Sequence, residues 1–205
     1  MFEHYIWDFD GTLYDTYPVM LDAFVLTLAD YDIQADRREI YQILKNQSSA
    51  TIAEKYQLDF AEFSARFKRY ENQDTRIPVS YTGTKEMLES VLATGSKNYI
   101  MTHRTVASTK ELLEREGMLH LFEEIVGTEN NFARKPAPDA INYLTQTYQM
   151  PVEKTVMIGD RPLDIDAGKN AQVKTIFYDL EQLISDVQAD YTVCSVAEMQ
   201  EIIEK

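Results

Sequence analysis

Only one cysteine, Cys194, occurs among the 205 residues, which excludes an intrachain disulfide and any CxxC-type metal cluster. Long apolar runs are missing too. No stretch reaches the roughly 18–20 apolar residues of a membrane-spanning helix. The opening segment Met1–Asp8 has no basic start and an apolar run broken by charge, unlike a secretory leader. Positive charge is scarce: 20 Lys and Arg face 34 Asp and Glu, for a formal net charge of -14. Such a chain repels a nucleic-acid backbone, and it needs a local cation before any anionic substrate can approach. No internal repeat or low-complexity segment is present. These absences predict a cytoplasmic protein with neither nucleic acid nor membrane as partner, and they leave monomer or homodimer open.

Hydrophobic residues make up 44% and charged residues 26%, the balance of a globular rather than a disordered chain. The length suffices for one α/β core, alone or with a small accessory unit. Tyr5-Ile6-Trp7 is a short strand signal running straight into the turn residues Asp10-Gly11-Thr12. From Tyr17 to about Tyr70 the spacing is helical: Val19, Ala23 and Leu26, then Ile40, Ile43 and Leu44, then Phe60, Phe63 and Phe67. Four short helices fit this span, and Ile77-Pro78-Val79 punctuates it.

Beyond Pro78 strands and helices alternate. A helix over Thr84 to Ala93 ends at Gly95, suited to the position after a helix C-cap. Strands are predicted at Asn98–Met101, Glu124–Val126, Thr155–Ile158 and Lys174–Phe177, with a short edge strand over Asp190–Val193. Helices fall between them, one ending at Glu116 before Gly117 and one starting at Pro138-Asp139. Alternation of this kind predicts a doubly wound parallel sheet with helices on both faces, whose ligand site lies at the carboxyl ends of the strands.

Four segments put reactive side chains just after predicted strands. Asp8-Phe9-Asp10-Gly11-Thr12-Leu13 follows the first; extended backbone at Phe9 would turn Asp8 and Asp10 to the same side, where one carboxylate can attack and the other handle protons. Thr102 ends a second strand. Arg134-Lys135-Pro136 carries a cation without a carboxylate nearby in sequence. Gly159-Asp160-Arg161-Pro162-Leu163-Asp164 supplies another acidic pair.

The order DxDGT, Thr, KP and GDxxxD resembles the four motifs of the haloacid dehalogenase superfamily, in its phosphoglycolate phosphatase and β-phosphoglucomutase-like branch. The resemblance spans nearly the whole chain. It implies a Rossmann-like core over residues 1–16 and 77–205, with a small four-helix cap, residues 17–76, inserted after the first strand. It also implies a phosphoric monoester hydrolase in which Asp8 is the nucleophile, Asp10 the general acid and base, and Thr102 and Lys135 complete the catalytic set. Mg²⁺ would be held by the Asp8 carboxylate, the Asp10 backbone carbonyl and the Asp160 carboxylate. Thr102, Lys135 and the backbone N–H groups of Phe9, Asp10 and His103 would bind the phosphoryl oxygens, and Asp164 would orient Lys135 or a water on the metal. The expected partner is a small phosphorylated metabolite.

Simpler readings stand beside these. His103 is taken as a neighbour whose backbone matters rather than as a catalytic imidazole, Cys194 as packing, and Phe60, Phe63 and Phe67 as core of the helical block. Two departures from the family pattern are visible. Gln172 follows Ala171 where a glycine is usual, at a cost on the order of 1 kcal/mol if the backbone there is left-handed. Met20 stands where β-phosphoglucomutases carry a histidine, which favours a phosphatase over the alternative phosphomutase. A catalytically silent binding module is the third reading, opposed by the intact motifs.

Overall fold

A computed structural model describes residues 1–204. Contacts divide the chain into two compact units, Met1–Tyr14 with Ser80 onward, and Asp15–Val79.

The first unit is built on six parallel strands, β1 (His4–Trp7), β2 (Lys97–Met101), β3 (Phe122–Val126), β4 (Thr155–Gly159), β5 (Lys174–Tyr178) and β6 (Tyr191–Val193), in the order β3-β2-β1-β4-β5-β6. Period-two alternation explains how β1 serves two layers. Tyr5 and Trp7 pack on one face with Leu88, Leu113 and Met199, while Ile6 packs on the other with Ile141 and Met157. The first face is covered by helices α5 (Thr84–Ala93), α6 (Val106–Arg115) and α9 (Val196–Ile203), the second by α7 (Asp139–Thr147) and α8 (Pro162–Asn170).

Helix boundaries follow local chemistry. Gly95, at φ 85, ends α5 in the left-handed region. Pro162 opens α8 at its first position, and the Asp164 carboxylate caps that helix by accepting from the Arg161 N–H at 3.1 Å. Gln172 has φ 61, so the position where a glycine is usual is left-handed here and is held by a non-glycine residue.

Sheet order changes direction at β1. The chain winds outward through β2 and β3, then returns to add β4, β5 and β6 on the opposite side of β1. Trp7 is in register with both Ile100 and Ile158, so the segments after β1, β2 and β4 emerge side by side. This is the crevice where open α/β sheets bind ligands.

The second unit consists of α1 (Tyr17–Ala29), α2 (Arg37–Asn46), α3 (Ser49–Lys55) and α4 (Phe60–Gln73), inserted in sequence after β1. Asp36 and Asp59 cap α2 and α4 through side-chain bonds to backbone N–H groups. Its core is Phe24, Leu28, Ile40, Leu44, Ile52 and Phe63. Two residues assigned to apolar faces are not in it: Leu26 is 49% and Phe60 42% exposed. In α1 apolar residues lie on more than one side, and the buried stripe runs through Tyr17, Leu21, Phe24 and Leu28. Phe60 is the first residue of its helix, ahead of the packed turns at Phe63 and Phe67.

Candidate active site

The segment after β1 continues the sheet for one residue, the Asp8 N–H donating to the Ile158 carbonyl at 2.8 Å, and then turns. Phe9 anchors the turn: its carbonyl accepts from Leu13 and Tyr14, and its buried ring stacks on Tyr14 at 4.5 Å. Asp8 is thereby held rigidly at the strand end, with only 1% of its surface exposed.

Asp8 Oδ1 accepts from Lys135 Nζ at 2.5 Å, and the same ammonium donates to Asp164 Oδ1 at 2.8 Å. All three residues are buried. Lys135 had no carboxylate partner near it in sequence; folding supplies two, from β1 and α8. Asp164 Oδ2 is used by the Arg161 N–H, and Asp160 Oδ1 accepts from the Thr12 hydroxyl at 3.1 Å. Gly159 is necessary to this packing, because a Cβ there would lie 2.3 Å from Asp164 Cβ.

Charge in this cluster is unbalanced. Ligand oxygens of Asp8, Asp160 and Asp164 lie within 4.8 Å of one another; the Lys135 ammonium bonds Asp8 and Asp164, and Arg161 Nε lies 3.9 Å from Asp164 Oδ2. Burial, reinforced by Asp164, pushes the Asp8 carboxyl up to about 7 despite Lys135. Burial opposes the Lys135 charge as well, but the Asp164 and Asp8 carboxylates more than offset this and raise it above its ordinary value. Asp8 Oδ2 is buried without a hydrogen-bond partner. A buried orphan carboxylate oxygen among three acids fits a hard divalent cation with oxygen ligands, such as Mg²⁺.

Thr102 follows β2 and is buried. Its Oγ accepts from the Arg104 N–H at 3.1 Å, so the hydroxyl proton remains available to donate. The backbone N–H groups of Phe9, Asp10 and His103 have no acceptor among the described residues. His103 differs from its expected backbone role in one respect: its Nε2 accepts from the Lys135 N–H at 3.1 Å. The imidazole is therefore neutral, and burial together with the charges of Lys135, Arg134 and Arg161 lowers it to about 2. It ties the Lys135 backbone to the loop after β2. Thr102, His103 and Arg134 also line a cleft of ≈ 310 Å³ that none of the three clustered carboxylates lines.

Asp10 does not join the acidic cluster. Its Oδ1 accepts from Arg104 Nη2 at 2.9 Å and Nε at 3.1 Å. The sequence reading gave Arg104 no role; its only signal was a cation two residues after Thr102. Lys55 is paired with Glu39 inside the helical unit.

Comparison with known proteins agrees with this arrangement. A phosphoglycolate phosphatase from Psychrobacter arcticus is 28% identical over 186 residues, covering 83% of this chain and 80% of that protein. The pyrophosphatase PpaX of Listeria monocytogenes is 26% identical over 174 residues, covering 83% and 80%. Among solved structures, a hydrolase from Streptococcus pneumoniae TIGR4 is 30% identical with a TM-score of 0.64, covering 100% of this chain and 99% of that one. The pattern of the haloacid dehalogenase-like hydrolases matches residues 5–178, a span running from the first strand through the fifth, and the chain belongs to that family.

Proposed function

We propose that the chain is a phosphatase that hydrolyses a small phosphomonoester through a phospho-aspartate on Asp8. The observation that carries this reading is the buried Asp8 carboxylate, bonded to Lys135 through one oxygen and unsatisfied at the other, beside three unused backbone N–H groups. Phosphoryl transfer needs little beyond a positioned nucleophile and donors aimed at the equatorial oxygens.

Asp8 attacks phosphorus, and the bond from phosphorus to the leaving oxygen breaks. Asp10 gives that oxygen a proton. Water then attacks the phospho-aspartate, Asp10 takes its proton, and the bond from phosphorus to the Asp8 oxygen breaks to release phosphate. Thr102, Lys135 and the N–H groups of Phe9, Asp10 and His103 hold the transferring group, and Asp164 fixes Lys135. The carboxylates of Asp8 and Asp160 with the Asp10 carbonyl would hold Mg²⁺, which when bound offsets the negative charge that otherwise repels a phosphate dianion.

The relatives are named for phosphoglycolate and for pyrophosphate, so these lead the substrate panel. Choice among such substrates is assigned to the helical block over residues 17–76. Release of inorganic phosphate separates hydrolysis from a phosphomutase, which would return an isomer instead. The mechanism is tested with Asp8→Asn and Asp10→Asn, an aryl phosphate and intact-mass analysis after rapid quenching. Asp10→Asn should trap one added phosphoryl group, its hydrolysis slowed by roughly 10²–10⁴-fold for want of a general base; Asp8→Asn should trap none. A phosphorylated Asp8→Asn protein removes Asp8 from the nucleophile's role.

A further inference from the structure

Arg104 has no part in the scheme above, yet it is among the most firmly anchored residues of the site. Its Nε and Nη2 both donate to Asp10 Oδ1. Its Nη1 donates to Ser108 Oγ at 3.0 Å, in the first turn of α6. The guanidinium carbon lies 6.0 Å from the centroid of the Phe9 ring. The backbone is held as tightly: the N–H donates to Thr102 Oγ1 and the carbonyl accepts from the Thr128 N–H at 3.1 Å. Gly127 lets the two loops approach this closely, because a Cβ there would come within 2.7 Å of the Arg104 oxygen.

All of the guanidinium's bonds to Asp10 go to one oxygen. Oδ2 has no partner among the described residues. A side chain in this position has two consequences. It fixes the rotation of the Asp10 carboxylate through two N–H donors on one oxygen. It also leaves a single, defined carboxylate oxygen for proton exchange. Arginine suits the task because it presents several donors in a rigid plane and never loses its charge.

We propose that Arg104 is the positioning residue for Asp10, fixing the carboxylate through Oδ1 so that Oδ2 exchanges the proton with the leaving oxygen and then with water. This rests on the acid–base role proposed for Asp10. Arg104 need not touch substrate; it acts through the carboxylate it holds. The competing role is a cation that binds substrate phosphate directly, and the two separate experimentally.

The test uses the full chain with Mg²⁺, comparing Arg104→Met, Arg104→Gln, Asp10→Asn and the Arg104→Met/Asp10→Asn double variant on p-nitrophenyl phosphate and on the best alkyl phosphate of the panel. Misplacing a catalytic group by about 1 Å costs on the order of 10²-fold. Arg104→Met should lose about that factor in kcat on the alkyl phosphate, with KM little changed. On the aryl phosphate, whose leaving group needs little protonation, it should give a burst of nitrophenolate and then slow turnover. Arg104→Gln, which keeps one N–H donor, should fall between Met and the parent and serves if the Met variant folds poorly. In the Asp10→Asn background, Arg104→Met should cost nothing more, since the group it positions is already gone. A loss confined to KM, or an equal loss with and without the Asp10 carboxylate, overturns the proposal in favour of direct substrate binding. If Asp10→Asn itself shows neither burst nor loss, the acid–base assignment fails on its own, independently of Arg104.

Discussion

His103 is held neutral, and that condition has a measurable cost in acid. Its Nε2 accepts from the Lys135 N–H and so cannot carry a proton without breaking that bond. Burial and the neighbouring cations lower the imidazole from 6.5 to about 2. In the unfolded chain it takes up a proton below 6.5, whereas in the folded protein it does not until pH is near 2. The stability this bond supplies is therefore complete above pH 6.5 and is lost as pH falls below it. At pH 5, one and a half pH units below 6.5, the loss reaches about 2 kcal/mol. Asp8 works in the opposite sense over the same range: its carboxyl, pushed up to about 7, accepts a proton in the folded protein first, so its contribution improves as pH falls. The parental pH curve alone mixes the two, and a comparison isolates His103. In His103→Gln an amide oxygen can still accept from Lys135 but does not titrate. Urea unfolding at pH 7 and pH 5 can be followed by the fluorescence of Trp7, the only tryptophan, which is fully buried in the core and donates to Asn98 at 2.9 Å. The parent should lose about 2 kcal/mol more than the variant between the two pH values. Parallel curves would show that the imidazole is not held neutral and that the Lys135 contact is not what anchors it.

Lys135→Met leaves two buried carboxylates without their ammonium and should destabilise the core by roughly 3–5 kcal/mol, partly recovered in mild acid where Asp8 can protonate; thermal unfolding at two pH values checks both. Gly159→Ala places a Cβ against Asp164; it should cost about 1–3 kcal/mol in overpacking and lower phosphatase activity far more than an alanine on the sheet's exposed edge. Gln172→Gly removes a left-handed penalty of roughly 1–2 kcal/mol at φ 61, less the added freedom of the unfolded chain, for a net gain of about 1 kcal/mol or less in urea unfolding.

What could be read from the sequence was what lies next to a strand end. Tyr5, Ile6 and Trp7 declare a strand by apolar run and turn residues, and the sheet then fixes where Asp8 must stand. Thr102 and Asp160 follow strands in the same way, which is why three segments 58 to 152 positions apart in sequence could be assembled in advance. The left-handed position at Gln172 was legible from the residue a family usually places there. The contacts that arm the site were not legible. Arg104 and Asp10 are 94 residues apart, and Lys135 and His103 are 32 apart; neither pair leaves a periodic or spacing signal. A cation two residues beyond a threonine is indistinguishable in sequence from a surface charge such as Arg66, which here pairs with Glu62 and Asp30 on the helical unit. Leu26 and Phe60 failed for a different reason: helical spacing marks apolar stripes without saying which of them a neighbour will cover.

Charge explains why the site takes this form. The whole chain is strongly acidic, yet its function requires an anion to approach three buried carboxylates. Lys135 bonds two of them at once, and the Arg161 guanidinium lies 3.9 Å from Asp164, so three acids are packed with few cations close by. Burial, reinforced by Asp164, pushes the carboxyl of Asp8, the acid with an unsatisfied oxygen, up to about 7. Protonation can relieve this strain, but a protonated Asp8 could not serve as the proposed nucleophile. A divalent cation would relieve it as well and leave the carboxylate ionised. On the proposed mechanism, proton and metal would therefore compete at Asp8, and only the metal would leave a nucleophile. Asp10 lies outside this competition because Arg104 compensates it separately. The two carboxylates of one DxD motif are thus bonded to different cations, a separation that suits the opposite roles proposed for these neighbours in one reaction.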